Sequence, residues 1–119
     1  MVLTKWLVDT NLSEVELVGG KNASLGEMIS NLSALGINVP NGFVISAKAY
    51  DEFLSFNNLH EKISQILDSI DYDDAINLRK NAQKIRILIQ NGEYPDNLRN
   101  EILDMYKQLS KKYNQDEIL

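Results

Sequence analysis

The sequence predicts a helix-dominated α+β fold in a single domain over residues 1–119, with two or three short strands near the amino terminus and about five helices. Two observations lead to this prediction. Short apolar runs bounded by turn-forming residues occupy the first 45 residues, which is typical of short strands. Apolar residues recur at intervals of three and four over residues 23–35 and again from residue 47 onward, which is the period of an amphipathic helix.

Three short extended segments are expected. The first covers residues 6–8 and ends at turn-forming residues 9–11. The second covers residues 15–18 and leads into a pair of glycines. The third covers residues 43–45, is wholly apolar, and is expected to be buried on both faces. It follows a predicted turn at residues 40–42, where proline sets φ and Asn-Gly supplies left-handed backbone.

The first long helix is predicted over residues 23–35. Asn22 is the expected N-cap, because its side-chain oxygen can accept from first-turn amides, and Gly36 is the expected C-terminal cap. Gly26 inside the helix costs about 1 kcal/mol relative to alanine, which either close packing or simple tolerance would explain. The expected buried face consists of Leu25, Met28, Ile29, Leu32 and Leu35.

Four more helices are predicted. Ser46 is the expected cap of a helix over residues 47–56, which an Asn-Asn pair ends. An apolar stripe predicts a helix over residues 59–70, and the acidic residues 71–74 favour the start of the next. Pro95 suits the first turn of the last helix. The expected inward side chains are Tyr50, Phe53, Leu54, Leu59, Ile63, Ile66, Leu67, Ile70, Ala75, Leu78, Ala82, Ile85, Ile89, Leu98, Ile102, Met105, Tyr106, Leu109 and Tyr113.

The composition narrows the possible functions. The net charge of −5 argues against nucleic acid as a partner, because nucleic-acid-binding domains usually carry a basic stripe. The sequence has no cysteine, which excludes a disulfide scaffold and a thiolate metal site. No apolar run approaches the roughly 20 residues that span a bilayer, and the first residues do not form a secretory signal. We therefore expect no membrane partner and a cytoplasmic location.

Residues 17–28, with the sequence LVGGKNASLGEM, have the layout of an anion site. Gly19 and Gly20 allow close backbone approach and a positive φ, and the following helix directs unpaired N–H groups and its positive end towards the same place. Lys21 lies in the turn and adds a full positive charge. The spacing matches neither the P-loop nor the dinucleotide fingerprint. From these residues alone, phosphate binding and a plain strand-to-helix turn both remain open.

Three segments resemble the phosphoenolpyruvate synthase family, whose wider relatives include pyruvate phosphate dikinase and rifampicin phosphotransferase. They are residues 18–28 (VGGKNASLGEM), 35–45 (LGINVPNGFVI) and 49–54 (AYDEFL). The resemblance is specific over residues 5–56 and only compositional over residues 57–119. It implies that the chain is the amino-terminal part of an ATP-grasp-like nucleotide-binding domain in a larger enzyme.

The resemblance also implies a reaction, in which the whole enzyme converts pyruvate, ATP and water to phosphoenolpyruvate, AMP and phosphate through a phosphohistidine in another domain. Lys21 would contact the ATP phosphates and act electrostatically, and Gly19, Gly20 and Asn22 would complete the cofactor site. Mg²⁺ would accompany ATP on ligands in a later subdomain, so no metal ligand is expected in this chain. The implied partners are ATP and the remaining nucleotide-binding, phosphohistidine and pyruvate domains.

Two alternatives stay open. The same module occurs in pyruvate phosphate dikinases and in enzymes resembling rifampicin phosphotransferase, and the substrate domain would decide between them. The other alternative is a standalone binding module without catalysis. In either enzyme, the 119 residues alone are expected to be inactive.

The other polar residues are expected to have ordinary roles. His60 lacks the threonine-rich context of the family's phosphohistidine and is expected to lie on a helix surface. Arg79, Lys80, Lys84 and Arg86 are expected to form a solvated helix face. We expect no Ser/His/Asp constellation.

Overall fold

The computed structural model describes residues 2–113, which divide into two compact units. The first unit contains residues 2–50 and 96–113, and the second contains residues 51–95. The described part has six α-helices and one two-stranded sheet, which confirms the helix-dominated α+β class.

The elements follow one another along the chain with short connections. In order they are β1 (Thr4–Trp6), 3₁₀ turns at Leu7–Asp9 and Leu12–Glu14, α1 (Val15–Val18), α2 (Gly20–Ala34), β2 (Phe43–Ile45), α3 (Ala47–Phe56), α4 (Leu59–Asp68), α5 (Ala75–Gln90) and α6 (Asp96–Lys112).

The two strands pair antiparallel, with Lys5 opposite Val44 at the centre of the ribbon. Val44 is buried, whereas its neighbour Ile45 is half exposed, so the prediction that this strand is buried on both faces was wrong. Successive side chains of a strand point to opposite faces, and only the Val44 face of this ribbon reaches the core.

β1 lies earlier than predicted, because tertiary hydrogen bonds turn residues 7–9 into a 3₁₀ turn. The amide of Leu7 donates to the carbonyl of Gly42 at 2.8 Å, and the amide of Thr10 closes back onto the Leu7 carbonyl at 3.0 Å. Residues 15–18 are likewise one helical turn and not an extended segment. The amide of Gly19 closes that turn on the Val15 carbonyl at 2.8 Å.

The connection before β2 also differs from the prediction. Among the described residues, positive φ occurs at Gly19, Gly36 and Asn58 and at neither residue of the Asn41-Gly42 pair. Hydrogen bonds hold this connection instead. The Asn41 amide donates to the Tyr113 hydroxyl at 2.6 Å, and Asn41 Oδ1 accepts from the Val8 amide at 3.2 Å.

The end of α2 confirms the predicted C-terminal cap. Gly36 has φ of +81°, its amide donates to the Ser33 carbonyl at 3.0 Å, and the Ile37 amide donates to the Leu32 carbonyl at 3.0 Å. This pair of bonds is a Schellman motif, which satisfies carbonyls that the helix itself leaves unpaired.

The buried face of α2 is rotated from the predicted one. Ala23, Gly26 and Ile29 are buried, whereas Met28 is 43% exposed and Leu35 is 75% exposed. Leu25 and Leu32 from the predicted face are half-buried. The cause of the rotation is the close approach of another segment at Gly26.

Gly26 allows the backbone of the first 3₁₀ turn to lie against α2. A Cβ added there would lie 1.9 Å from Thr10 Oγ1, 2.5 Å from the Thr10 carbonyl oxygen and 2.7 Å from the Leu7 carbonyl oxygen. Of the two explanations offered for this glycine, close packing is therefore confirmed.

α3 begins and ends as predicted. The Ser46 hydroxyl accepts from the Ala49 amide at 3.2 Å and donates to the Val2 carbonyl at 2.6 Å. Asn58 ends the helix in a left-handed conformation with φ of +56°. Phe53 is buried as expected, and so is Leu54. Tyr50 is 51% exposed, which contradicts its predicted inward position.

In the second unit, Asn57 joins the end of α3 to the segment that follows α5. Its Nδ2 donates to the Phe53 and Glu93 carbonyls, each at 2.8 Å, and its Oδ1 accepts from the Glu93 amide at 2.8 Å. Gly92 lies against the same contact, since a Cβ there would lie 2.5 Å from Phe53 Cζ.

α4 and α5 pack against each other in this unit. Asp74 caps α5 by accepting from the amides of Ile76 at 3.0 Å and Asn77 at 3.2 Å, as helix-starting acids should. Seven of the ten side chains predicted to face inward between residues 59 and 89 are buried or half-buried. Leu59 is buried and Ile63, Ile66, Ile70, Ala82, Ile85 and Ile89 are half-buried, whereas Leu67, Ala75 and Leu78 are exposed.

α6 returns to the first unit and packs against β1. Leu98, Met105 and Leu109 are buried as predicted. Tyr113 is 37% exposed at the helix end. Ile102 and Tyr106 are half-buried, and Pro95 directly precedes the first helical residue.

We predict that Gly26→Ala destabilises the chain by about 2 kcal/mol or more, because the added methyl group would overlap backbone atoms that cannot rotate away. Chemical denaturation would measure the free energy of unfolding. Ser30→Ala, on an exposed position of the same helix, serves as the control and should change it by less than about 0.5 kcal/mol. Equal stability of the two variants would contradict the packing at Gly26.

We also predict that Asn57→Asp destabilises the chain by about 1–3 kcal/mol, because the amide donor is lost and a carboxylate faces two carbonyl oxygens. The same substitution at the exposed Asn100 on α6 is the control. Thermal unfolding followed by circular dichroism would compare them. An unchanged midpoint for Asn57→Asp would show that the Asn57 contacts add nothing to stability.

Candidate functional site

The predicted phosphate site is the glycine turn, which we define as residues 19–22 between α1 and α2. Buried residues hold it on both sides. Val18 directly precedes the turn and Ala23 directly follows it, and both pack with Val44 of β2 in one apolar cluster. Gly19, Gly20 and Lys21 are exposed. The core therefore fixes both ends of a short backbone segment whose middle faces solvent.

Gly19 provides the sharp change of direction between the two helices. Its φ is +83° and its ψ is 156°, a conformation that is essentially restricted to glycine. Its amide bonds to the Val15 carbonyl of α1 and its carbonyl accepts from the Ala23 amide of α2, at 2.8 and 3.0 Å. Gly20 does not share the positive φ, since it is the first residue of α2. The helix starts three residues earlier than predicted.

The turn leaves room for a ligand close to the backbone. A Cβ built on Gly19 or Gly20 would meet no heavy atom within 4 Å. In the described part of the chain, no side chain caps the amino-terminal end of α2, and the first turn of this helix contains no acidic residue. First-turn amides have no intrahelical acceptor and carry partial positive charge. This donor set fits the oxygen atoms of a phosphate group.

Lys21 adds a full charge in this first turn. Its side chain is exposed, and no carboxylate among residues 2–113 pairs with it. Lys5 of β1 differs, because its ammonium is paired with Glu14. Of these two lysines, Lys21 is therefore the one whose charge is available to an anion.

Asn22 does not cap α2, which corrects the sequence prediction. The N-cap is Gly19, and Asn22 lies within the first helical turn. Its Nδ2 donates to the Val18 carbonyl at 2.9 Å, which satisfies an acceptor at the end of α1. Its own carbonyl accepts from Thr10 Oγ1 at 3.2 Å. Asn22 thus links the two helices on either side of the turn.

A second polar group lies in the other unit and contains the residue types of a catalytic triad. His60 Nε2 lies 3.2 Å from Asp51 Oδ1 and 3.1 Å from Ser55 Oγ. These three residue types therefore meet in the fold, although they are not neighbours in the sequence. Both contacts use the same ring nitrogen, whereas a triad needs one nitrogen for the nucleophile and the other for the acid. His60 is exposed as predicted, and this arrangement does not serve nucleophilic catalysis.

Among residues 2–113, no three His, Asp or Glu side chains are grouped closely enough to hold a metal ion. Within the same range, no helix is both long and apolar enough to cross a bilayer.

Comparison with known proteins identifies relatives of this chain. Residues 15–119 match the family model described as pyruvate phosphate dikinase, AMP/ATP-binding domain. The chain is 45% identical over 111 residues to the phosphoenolpyruvate synthase of Aquifex aeolicus, covering 93% of this chain and 13% of that protein. It is 43% identical over 108 residues to that of Escherichia coli, covering 91% and 14%. The synthase of Synechocystis is 37% identical over 113 residues, covering 95% and 14%.

These matches confirm the resemblance seen in the sequence. They extend over residues 57–119, where the sequence motifs gave only a compositional likeness. The chain spans roughly one eighth to one seventh of the length of these curated relatives.

We predict that Gly19→Ala and Gly20→Ala have opposite effects on stability although neither methyl group would clash. Gly19→Ala should cost about 1–3 kcal/mol, because alanine is strained at positive φ with extended ψ. Gly20→Ala should be neutral or stabilise by up to about 1 kcal/mol, because alanine favours helix. Urea denaturation of the two variants would measure the difference, and equal values would contradict the conformation of Gly19.

Proposed function

Because this chain belongs to the family of pyruvate phosphate dikinase AMP/ATP-binding domains, we propose that its glycine turn binds the phosphate groups of ATP. The single observation that best supports the proposal is the open start of α2, where, among residues 2–113, no side chain forms a cap and no carboxylate pairs with Lys21. Backbone amides at a helix start, together with a lysine, form a common phosphate-binding arrangement.

We further propose that the chain is the amino-terminal part of the nucleotide-binding domain of a phosphoenolpyruvate synthase. The name of the relatives and the small share of their length that matches support this assignment. The whole protein would convert pyruvate, ATP and water to phosphoenolpyruvate, AMP and phosphate in the cytoplasm. The phosphohistidine, the pyruvate site and the Mg²⁺ ligands would lie in its other domains, and the 119 residues alone would not turn over pyruvate.

The chemistry assigned to this chain is electrostatic. ATP, when bound, supplies the phosphoryl group that is transferred. The Lys21 ammonium offsets negative charge on the phosphates, and the first-turn amides of α2 add partial positive charge at the same place. Gly19 and Gly20 contribute by leaving the backbone accessible. Asn22 holds the turn in shape through Val18 and is a positioning residue in this proposal. Such positioning and charge stabilisation account for most of catalysis in phosphoryl transfer.

The reaction class is tested on the whole protein by following AMP, inorganic phosphate and phosphoenolpyruvate with different acceptors. A synthase releases inorganic phosphate and needs only pyruvate and water as acceptors. Consumption of inorganic phosphate would identify a dikinase, and phosphorylation of rifampicin would identify the drug-modifying branch. ATP binding without AMP formation under any of these conditions would favour a binding module.

We predict that Lys21→Met in the whole enzyme lowers kcat/KM for ATP by about 10²–10³-fold, because one preorganised charge is lost from the transition state. Folding should be unaffected, since an exposed lysine contributes within about 0.5 kcal/mol. Lys107→Met on the exposed face of α6 is the matched control and should keep full activity. If Lys21→Met were as active as this control, the role of Lys21 would be refuted.

A further inference from the structure

Strand β2 has one edge that is paired with β1 and one edge that is open. The amide of Leu7 donates to the Gly42 carbonyl at 2.8 Å, and the amide of Ser46 donates to the Leu3 carbonyl at 2.9 Å. In an antiparallel pair, residues that exchange backbone hydrogen bonds alternate with residues that do not. The N–H and C=O groups of Gly42, Val44 and Ser46 therefore point towards β1.

Phe43 and Ile45 point their backbone groups to the opposite side, which we call the outer edge of β2. In the described part of the chain the sheet has two strands, and no segment among residues 2–113 forms a hydrogen bond with these two amides or these two carbonyls. Such an edge presents donors and acceptors at the spacing that another strand needs. The outer edge is therefore a place where a further strand can pair.

The sequence of β2 is that of a strand in the interior of a sheet. It consists of Phe43, Val44 and Ile45, and strands that are covered on both faces are continuously apolar in this way. In this chain only the Val44 face reaches the core. The other face carries Ile45, which is 49% exposed, and Phe43, whose ring meets that of Trp6 edge-on at a centroid distance of 6.2 Å. The apolar sequence of β2 and its exposed face agree only if further structure is added to this sheet.

β1 is less suited to accept a further strand. It contains Lys5, and a charged residue on an edge strand is a common protection against pairing. In addition, α6 packs against β1. β2 contains no charged residue and no proline, so nothing in its sequence opposes pairing at the outer edge.

The relatives of the chain indicate where such a strand would come from. The match covers 13% of the Aquifex aeolicus protein and 14% of the Escherichia coli protein, so most of each relative lies outside the matched part. A strand in the same polypeptide is held near the edge and has a high effective concentration. An edge of three residues offers a second copy of the chain only a few hydrogen bonds, which favours a strand of the same polypeptide.

We propose that the outer edge of β2 pairs with an apolar β-strand from the part of the whole protein that lies outside these 119 residues. The amides of Phe43 and Ile45 donate to that strand, and their carbonyls accept from it. The inference rests on the proposed membership of the chain in a larger protein and not on the chemistry of the glycine turn. Pairing would also stiffen the base of that turn, because Val44 packs with Val18 and Ala23 at its two ends.

The test is hydrogen exchange at single-amide resolution, measured under the same conditions on the whole protein and on the 119-residue chain. In the chain, we expect the amides of Phe43 and Ile45 to exchange rapidly, because no acceptor faces them. In the whole protein, both should exchange at least about tenfold more slowly, because a paired amide exchanges only when the strand opens. The Val44 amide, which points towards β1, is the internal control and should be protected in both proteins.

The outcomes separate this inference from the proposed function. Rapid exchange of both amides in a whole protein that forms AMP from ATP would overturn the inference and leave the proposed reaction intact. Protection in a whole protein that forms no AMP would support the inference and refute the reaction. Protection in the 119-residue chain that rises with its concentration would identify a second copy as the occupant and overturn the inference. A native polypeptide of only 119 residues would refute both the larger protein and its strand.

A proline substitution tests the same edge independently. Ile45→Pro removes one outward N–H group, whereas Ile45→Thr keeps it and is the matched control. We expect the difference in melting midpoint between the two variants to be about 2–4 °C larger in the whole protein than in the chain, since only the whole protein has a hydrogen bond to lose there. Comparing the two proteins cancels the intrinsic cost of proline. The same difference in both proteins would contradict pairing at the outer edge.

Discussion

The contact at Gly26 fixes the position of the candidate ATP site. Because this residue has no side chain, α2 lies directly against the backbone of the first 3₁₀ turn. Thr10 is buried at this contact, and its single hydroxyl hydrogen lies between two acceptors, the Leu7 carbonyl at 2.8 Å and the Asn22 carbonyl at 3.2 Å. The second of these acceptors belongs to the residue after Lys21. A packing contact more than a helical turn away from the glycine turn thus holds the start of α2 in place.

Within the glycine turn, the two ends are held by buried residues, whereas the middle is open to solvent. Val18 and Ala23 are buried on either side, and Asn22 closes the end of α1, so the backbone that carries the donors is held by the core. The side of the turn where a Cβ would lie is open, since a Cβ built on Gly19 or Gly20 would meet no heavy atom within 4 Å. A preorganised backbone needs little ordering when a ligand binds, and this lowers the entropic cost of binding. The same separation is expected of sites that act by fixed electrostatics.

The sequence predicted those features that local chemistry determines. Gly36, Ser46 and Asn58 end or begin helices as expected, because a cap depends on one side chain or one φ value. The start of α2 was misplaced since Asn22 is a good cap in isolation, whereas Gly19 takes that position in the fold. The rotated face of α2 depends on Thr10, which no helical period reveals. Lys21 and the two glycines could be proposed as site residues from the sequence because they are adjacent in it.

Local pairing of charges, more than the total charge, decides what this chain can bind. A net charge of −5 argues against an extended polyanion, because such a partner needs many unpaired cations along one surface. The net charge does not argue against a small anion as a ligand, because such a ligand needs only one or two unpaired cations. Lys5 is neutralised by Glu14, whereas Lys21 stands at a helix start that lacks acidic residues. Acidic residues are absent from the first turn of α2, so the phosphate site proposed there is compatible with an acidic protein.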